Sequence, residues 1–416
     1  MSDDRRVLVI SQAFPPEQGG NASRIGDTTR HLDDEGWDVT VLAPHLSYPH
    51  GQFDRDWTRS SVDTDDGVAV HRLWTWQPTS ADPSALSRGL YYLLFAVHAS
   101  LWVLLTDRRY DVVITSTPPV FTSIPGWVAR RRWRVSGVVD IRDLWIEAAI
   151  DLELLSPDGF VTRVTERFQH WAFTDADRLF VTTTVMRDRI LDRYPVAEDD
   201  VRIVPNGVDP SSFDPDRRPG NAVVYTGNLG HAQDLEPCIR AMSHVNSGLQ
   251  LRIVGEGDVR PELEELAERV GVDDVVEFTG LVDREEVSEQ LADAIAGLAP
   301  IKPTENLQYA VPTKAYEYLA CRVPVVAVGN GAIESFLERS EGGVLVESDP
   351  VEIARTLDEL AQTPERRSSL ARAGHEYVAE RYDRRVIAEA VSDELSTLID
   401  HPESTSEITV STSSHE

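Results

Sequence analysis

Short apolar runs alternate with helix-length stretches along this chain, and the alternation starts twice. In the first half the runs are VLVIS (Val7–Ser11), DVTVLAP (Asp38–Pro44), VAVHRLW (Val68–Trp74), DVVITS (Asp111–Ser116) and GVVDIRD (Gly137–Asp143). Such runs read as buried strands, and helices between them imply parallel βαβ units. A proline-, glycine- and acid-rich segment, VPNGVDPSSFDPDRRPG (Val204–Gly220), then interrupts the pattern. After it come VVYTGN, LQLRIVGEG, VVEFTG, IAGLAP, VPVVAVG and GGVLVE. The expected fold class is α/β, with two Rossmann-like doubly wound domains and a cleft between them. The boundaries read as 1–205 for the first domain, 206–220 for a linker and 221–382 for the second domain. A C-terminal helix over 383–400 is expected to pack back on the first domain, and 401–416 reads as a disordered tail.

Charge narrows the setting. The chain of 416 residues carries 70 acids against 40 basic residues, a formal charge of −30, with 41% hydrophobic residues. That is enough apolar material for a core, and the wrong sign for a nucleic-acid binder. Only two of the basic residues are lysines, Lys302 and Lys314, which leaves 38 arginines. An acid-rich, lysine-poor composition fits a salt-loving microbe, where a screening length of about 3 Å at 1 M damps self-repulsion. The two cysteines, Cys238 and Cys321, have neither metal spacing nor a disulfide framework. MSDDRRVLVISQ places acids before a short apolar run, so it reads as a strand rather than a signal peptide, and the protein as cytoplasmic.

One segment competes with this plan. GLYYLLFAVHASLWVLLT (Gly89–Thr106) is uncharged over eighteen residues, the minimum for a membrane span. A span would separate the strands at Val68 and Asp111, so the segment reads as a crossover helix that is buried or faces lipid. Nearby, Arg130, Arg131, Arg132 and Arg134 lie around Trp127 and Trp133, a combination suited to anionic headgroups or a lipid phosphate. A solvated helix end is the plainer reading.

Lys302 and Lys314 both lie in APIKPTENLQYAVPTKAYEYLACRVPVVAVG (Ala299–Gly329), twelve positions apart. A compact, mobile positive charge kept there suggests a specific need for an ammonium group. PTKAYEYLACRVPVV, the linker VPNGVD and IVGEGDVRPELEELAERVGVDDVVEFTGLVDREEV, in their order and spacing, resemble glycosyltransferase family 4. The resemblance covers roughly residues 7 to 395. VISQAFPPEQGGNASR and VVDIRDLWIEAA are similar to a branch that builds cell-surface polysaccharides and glycans. It implies the GT-B fold, an acceptor-binding first domain and a second domain that binds a nucleotide-diphospho-sugar. It further implies retaining transfer of a hexose-type sugar, no metal, and no cofactor, since the nucleotide-sugar is a substrate.

The chemistry asks for positive charge or dipoles where the diphosphate leaves. Pro312 and Thr313 open a helix whose backbone N–H groups would meet the phosphates, and Lys314 would add a full charge. The resemblance assigns Glu317 to the nucleotide ribose and places Asn228, Gly255, Gly257 and Tyr309 around the donor. Gly19 and Gly20, after the first strand, let backbone approach a ligand. They do not form G-x-G-x-x-G, so a nicotinamide site is poorly supported. Asp143 ends a strand, where open sheets bind ligands, and is expected to position substrate. A retaining mechanism in which the leaving phosphate takes the acceptor's proton needs no enzymic base.

Two positions depart from the family pattern. Tyr309 stands where a glutamate usually contacts the donor sugar, and Glu305 lies four residues further back. TGNLGHAQDLEP has Asn228 and Gln233 near positions that are commonly basic, so Arg24 or Arg142 is expected to assist Lys314 from across the cleft. The apolar helix and the arginines imply a polyprenyl- or dolichyl-phosphate-linked acceptor at the inner membrane face. The alternatives are a GT-B nucleotide-sugar epimerase and a sugar-nucleotide-binding protein without catalysis. An epimerase would need a set of acids and bases around the sugar that the sequence does not display.

Overall fold

The computed structural model describes residues 5–17, 20–47, 50, 53–65, 67–80, 83–152 and 155–400. Gly19 and the tail over 401–416 therefore lie outside the described residues.

The first unit runs β1 (Arg6–Ile10), α1 (Gly20–Asp34), β2 (Asp38–Pro44), β3 (Ser60–Asp65), β4 (Val68–Leu73), α2 (Ala85–Leu105) and β5 (Val112–Thr117). It continues through α3 (Ser123–Trp133), β6 (Ser136–Ile141), α4 (Trp145–Asp151), α5 (Phe160–Asp175), β7 (Arg178–Val181), α6 (Thr184–Arg193) and β8 (Val201–Ile203). These strands form an eight-stranded sheet, ordered β3-β4-β2-β1-β5-β6-β7-β8, parallel except for β3 at the edge. β1, β2 and β5 are almost wholly buried, which is why they read as unbroken apolar runs. The polar SSVDTD of β3 is an edge strand with mostly exposed side chains, so no such run marks it.

The second unit runs β9 (Ala222–Thr226), α7 (Leu235–Ala241), β10 (Gln250–Val254), α8 (Arg260–Val270), β11 (Val276–Gly280), α9 (Arg284–Gln290) and β12 (Ala294–Pro300). After these come α10 (Thr313–Ala320), β13 (Val325–Val328), α11 (Ala332–Ser340), β14 (Gly343–Val346), α12 (Pro350–Gln362) and α13 (Pro364–Arg381). Its six strands are all parallel, in the order β11-β10-β9-β12-β13-β14. The last helix, α14 (Arg384–Asp400), returns to the first unit. There Val391, Leu395 and Leu398 join the core under β1 and β2, and Trp37 Nε1 donates to Ser392 Oγ at 2.9 Å.

Chain order reverses between β1 and β5 in the first sheet and between β9 and β12 in the second. Open parallel sheets bind ligands at such switch points, beyond the C-terminal strand ends. Loops following β1, β5, β9 and β12 are thus the ones topology selects, with the loop after β6 beside that of β5.

α2 is half core and half surface. Phe95, Ala99 and Val103 pack with Leu8, Ile10 and Leu42 under the sheet, which precludes a span without dismantling β1 and β2. Its opposite face is exposed, so of the two readings of the crossover helix full burial is the one that fails.

Candidate functional site

Lys314 sits in the first turn of α10, 8% exposed, at the floor between β9 and β12. Its Nζ donates to Tyr225 Oη at 3.2 Å and to Gln233 Oε1 at 3.1 Å, and lies 4.2 Å from the Tyr225 ring centre. Tyr225 can accept because its own hydroxyl proton goes to the Asn228 carbonyl at 2.6 Å. Burial lowers the Lys314 pKa to about 8, and the nearby Glu317 only partly offsets this. Among these partners none is an anion in direct contact, which suits an ammonium awaiting one. Tyr225 drew no attention in the sequence, since a tyrosine closing an apolar strand gives no clue to where its hydroxyl points.

The glycines beside Lys314 have a backbone task. Gly255 has φ +146°, and a Cβ there would lie 2.0 Å from the Gly227 carbonyl oxygen. At Gly257 a Cβ would lie 2.3 Å from the Leu229 carbonyl oxygen. Gly227 and Leu229 N–H groups donate to Val254 and Glu256 carbonyls at 2.9 and 2.8 Å. Gly255 and Gly257 thus let two loops lie flush and fix Asn228, which is exposed toward the cleft side. Across the cleft Gly20 opens α1, and a Cβ there would come 3.5 Å from the Thr313 side chain. Gly20 and the start of α10 thus face each other at close range across the cleft.

Arg142 and Asp143 stand just past β6. Arg142 is 7% exposed, and its Nη2 donates to the carbonyls of Gly20 and Asn21 at 3.3 and 3.1 Å. Its Nε makes no hydrogen bond, and Nη1 lies 3.7 Å from Asp140 Oδ2. Burial lowers its pKa to about 9, against the pull of Asp140. Arg24 is different, and the expectation that it could assist Lys314 is corrected. Its guanidinium is held by Asp140 at 3.0 Å and by the carbonyls of Val204 and Pro205 at 2.9 and 2.7 Å. Arg24 fastens the connector between the units, with both terminal nitrogens committed to protein acceptors.

Tyr309 is the main correction. Instead of lining the donor cleft, it is 2% exposed and packed with Val139, Ile141, Leu144 and Met186 of the first unit. Its hydroxyl donates to Asp143 Oδ1 and accepts the Leu144 N–H at 3.0 Å, while its carbonyl accepts from Thr183 Oγ1. Three residues earlier, Asn306 donates to Asp151 at 2.8 Å and accepts from Arg189 at 2.8 Å. A phenol is long and half apolar, so it reaches a neighbouring core where a carboxylate could not be tolerated.

Burial raises the Asp143 pKa, while the Tyr309 hydroxyl holds it back down. Tyr309→Phe is therefore expected to raise the Asp143 pKa further and to move the acid limb of a pH–rate profile to higher pH. It should also cost about 1–3 kcal/mol of stability, since the buried Leu144 N–H loses its acceptor. A stability loss with an unmoved acid limb would remove Asp143 from the chemistry.

The arginine cluster is also rearranged by its partners. Arg130 pairs with Asp175 at 2.6 Å and Asp177 at 2.7 Å, and Arg132 donates to the carbonyls of Val103 and Thr106. Arg134 ends α3 with φ +59°, and Trp133 packs on Tyr110 at 5.2 Å. Exposed Arg131 lies 5.4 Å from the ring of Trp127, itself 37% exposed. All follow α3 into the start of β6, at the sheet rim opposite the cleft. That places them away from the strand ends that line the cleft.

Two doubly wound sheets facing across a cleft, with an ammonium at a helix start on one side, define a GT-B architecture. Family models agree: residues 19–207 match the glycosyl transferase 4-like domain and residues 220–363 match the glycosyl transferases group 1. The chain belongs to the family 4-like glycosyltransferases. It is 30% identical over 294 residues to D-inositol 3-phosphate glycosyltransferase of Saccharomonospora viridis, covering 64% of this chain and 66% of that protein. The chain thus spans about two thirds of the length of that curated relative.

Among solved structures, sucrose-phosphate synthase from Thermosynechococcus elongatus superposes with TM-score 0.77 at 18% identity, over 95% of this chain and 99% of that one. Anabaena HepE in complex with UDP and glucose gives TM-score 0.70 at 15% identity, over 94% and 100%. At these identities the likeness establishes the fold.

Proposed function

We propose that the protein is a retaining, metal-independent hexosyltransferase. In this reading it moves a sugar from a nucleotide-diphospho-sugar to a polyprenyl- or dolichyl-phosphate-linked glycan. The single observation that carries the reading is Lys314, buried at the start of α10 with, among the described residues, neutral partners only in direct contact, where α10 faces Gly20 of the other unit. A leaving diphosphate would receive its charge there together with the first N–H groups of α10. Glu317 would take the ribose hydroxyls, and Arg142, with an unbonded Nε at the opposite wall, would face the transferred group. The family resemblance supports retention of configuration, with the acceptor proton passing to the leaving phosphate.

The composition supports a salt-loving source and a product such as a surface polysaccharide or the glycan of a surface glycoprotein. The apolar face of α2 supports work at the cytoplasmic membrane surface. The test is incubation of purified protein with a panel of UDP-, GDP- and ADP-sugars. Acceptors are a polyprenyl-phosphate-linked glycan, bare polyprenyl phosphate and a phosphorylated polyol, and products are read by mass and anomeric NMR. Transfer with retained configuration to a lipid acceptor is expected. An isomerised nucleotide-sugar formed without acceptor, or binding without turnover, would replace the reading with an epimerase or a non-catalytic binder. Transfer only to the polyol would move the acceptor class toward the one in the relative's name.

A further inference from the structure

Leu86, Leu93, Val97, Leu101, Leu104 and Leu105 form the outer face of α2 and are 44–74% exposed. At about 100° per residue they fall on one side of the helix, opposite Phe95, Ala99 and Val103. Ordinary surfaces scatter single apolar side chains; here they run the length of a helix of 21 residues, about 31 Å. That face carries no charged side chain.

Charge around it is inverted relative to the chain. Residues 85–135 hold seven arginines and two aspartates, within a protein whose acids outnumber its bases by 30. Arg130 and Arg132 serve internal partners and Arg108 pairs with Asp38; Arg109 and Arg134 are exposed, and so is Arg131, whose Nη2 lies 3.9 Å from Asp175 Oδ1. They lie at the end of α2 and along the end of α3, the helix packed beside it. Half-exposed Trp127 stands on the same helix.

We infer that the outer face of α2 is a docking surface for an anionic lipid bilayer, lying flat in the headgroup region with its leucines among the acyl chains. An uncharged stripe edged by arginines and a tryptophan is complementary to such a surface. A second copy of this chain fits less well, since a two-fold contact across α2 would bring two arginine-rich regions together. The start of α2 follows β4 at the cleft rim and its end leads into β5 at the opposite rim, so a flat α2 sets the cleft mouth at headgroup level. The purpose of the surface rests on the lipid-linked acceptor reading; its geometry does not.

The test is flotation of the full chain with phosphatidylcholine vesicles, with and without phosphatidylglycerol, compared with Leu93→Glu/Val97→Glu/Leu101→Glu. All three positions are exposed, so the variant is expected to melt with wild type. Wild type should float with phosphatidylglycerol vesicles and less with phosphatidylcholine alone, and the variant should lose at least tenfold in bound fraction. An Arg131→Ser variant should lose the preference for phosphatidylglycerol first. A wild type that stays unbound, or a variant that floats equally well, overturns the inference. So does a wild type that sediments as a dimer, fails to float, and becomes monomeric in the variant. Transfer to a soluble acceptor, measured on the same samples, reports on the proposed activity separately. Flotation without any transfer would sink the activity and leave the docking surface standing.

Discussion

Lys314→Ala is expected to lower turnover by about 10²–10³-fold while the fold is kept, the loss typical of one preorganised group facing a developing oxyanion. Removing the ammonium leaves Tyr225 and Gln233, neutral groups that cannot offset a leaving diphosphate. Lys302→Ala should be mild, because the recorded contact of Lys302 is a backbone one, its N–H to the Ala232 carbonyl at 3.0 Å. Steady-state kinetics with matched melting curves decides the matter, and equal small effects from both variants would end the argument. The proton carries a second signature. Burial sets the Lys314 pKa at about 8 in the empty site, and a bound diphosphate favours the charged form. Nucleotide affinity should therefore fall as pH rises above 8, by up to tenfold per unit, with proton uptake visible by calorimetry in two buffers. Folding responds with the opposite sign. Because the folded pKa is below the unfolded value of 10.5, the unfolded chain holds more protons between the two values. The contribution of this lysine to stability is least favourable below pH 8 and recovers between pH 8 and 10.5.

What could be read from the sequence follows from what burial does to composition. Strands covered on both faces must be apolar throughout, so β1, β2, β5 and β9 announce themselves as runs. β3 pairs antiparallel at an edge and alternates small polar groups with acids, leaving no such run. Lys314 was legible because lysine is nearly absent elsewhere. Tyr309 was not: the resemblance put it where a glutamate contacts the donor sugar, whereas its partner Asp143 lies 166 positions away in the other unit. The arginines of α3 meet the same limit. Four charges in five positions look like one patch, yet Asp175 and Asp177, some 45 residues on, take Arg130 and reach Arg131, while carbonyls take Arg132. Period and composition are local signals, while pairing across the fold is not.

Asp140→Ala is expected to be the most damaging single change to the first unit, at about 3–5 kcal/mol. Asp140 is 4% exposed and lies between two buried arginines, 3.0 Å from Arg24 and 3.7 Å from Arg142. Removing the carboxylate leaves two guanidinium groups close together, with Asp143 the remaining acid that acts on Arg142, in a site that water reaches poorly. Repulsion between them would push Arg24 off the carbonyls of Val204 and Pro205, loosening the connector where the chain leaves the first unit. A neighbouring pair, Arg384 with Asp27 at 2.7 Å, binds α14 to α1 and is not expected to compensate. The measurement is simple because of where the tryptophans fall. All nine, from Trp37 to Trp171, precede the connector, so their fluorescence follows unfolding of the first unit alone. The fluorescence midpoint in denaturant should drop sharply for Asp140→Ala. The double variant Arg24→Met/Asp140→Leu should regain part of the loss, because it removes one of the two guanidinium groups and with it their mutual repulsion, Arg142 remaining. If Asp140→Ala shifts the midpoint no more than an exposed change such as Asp188→Ala, the arginines find other counter-charges, and the connector is held by its backbone contacts.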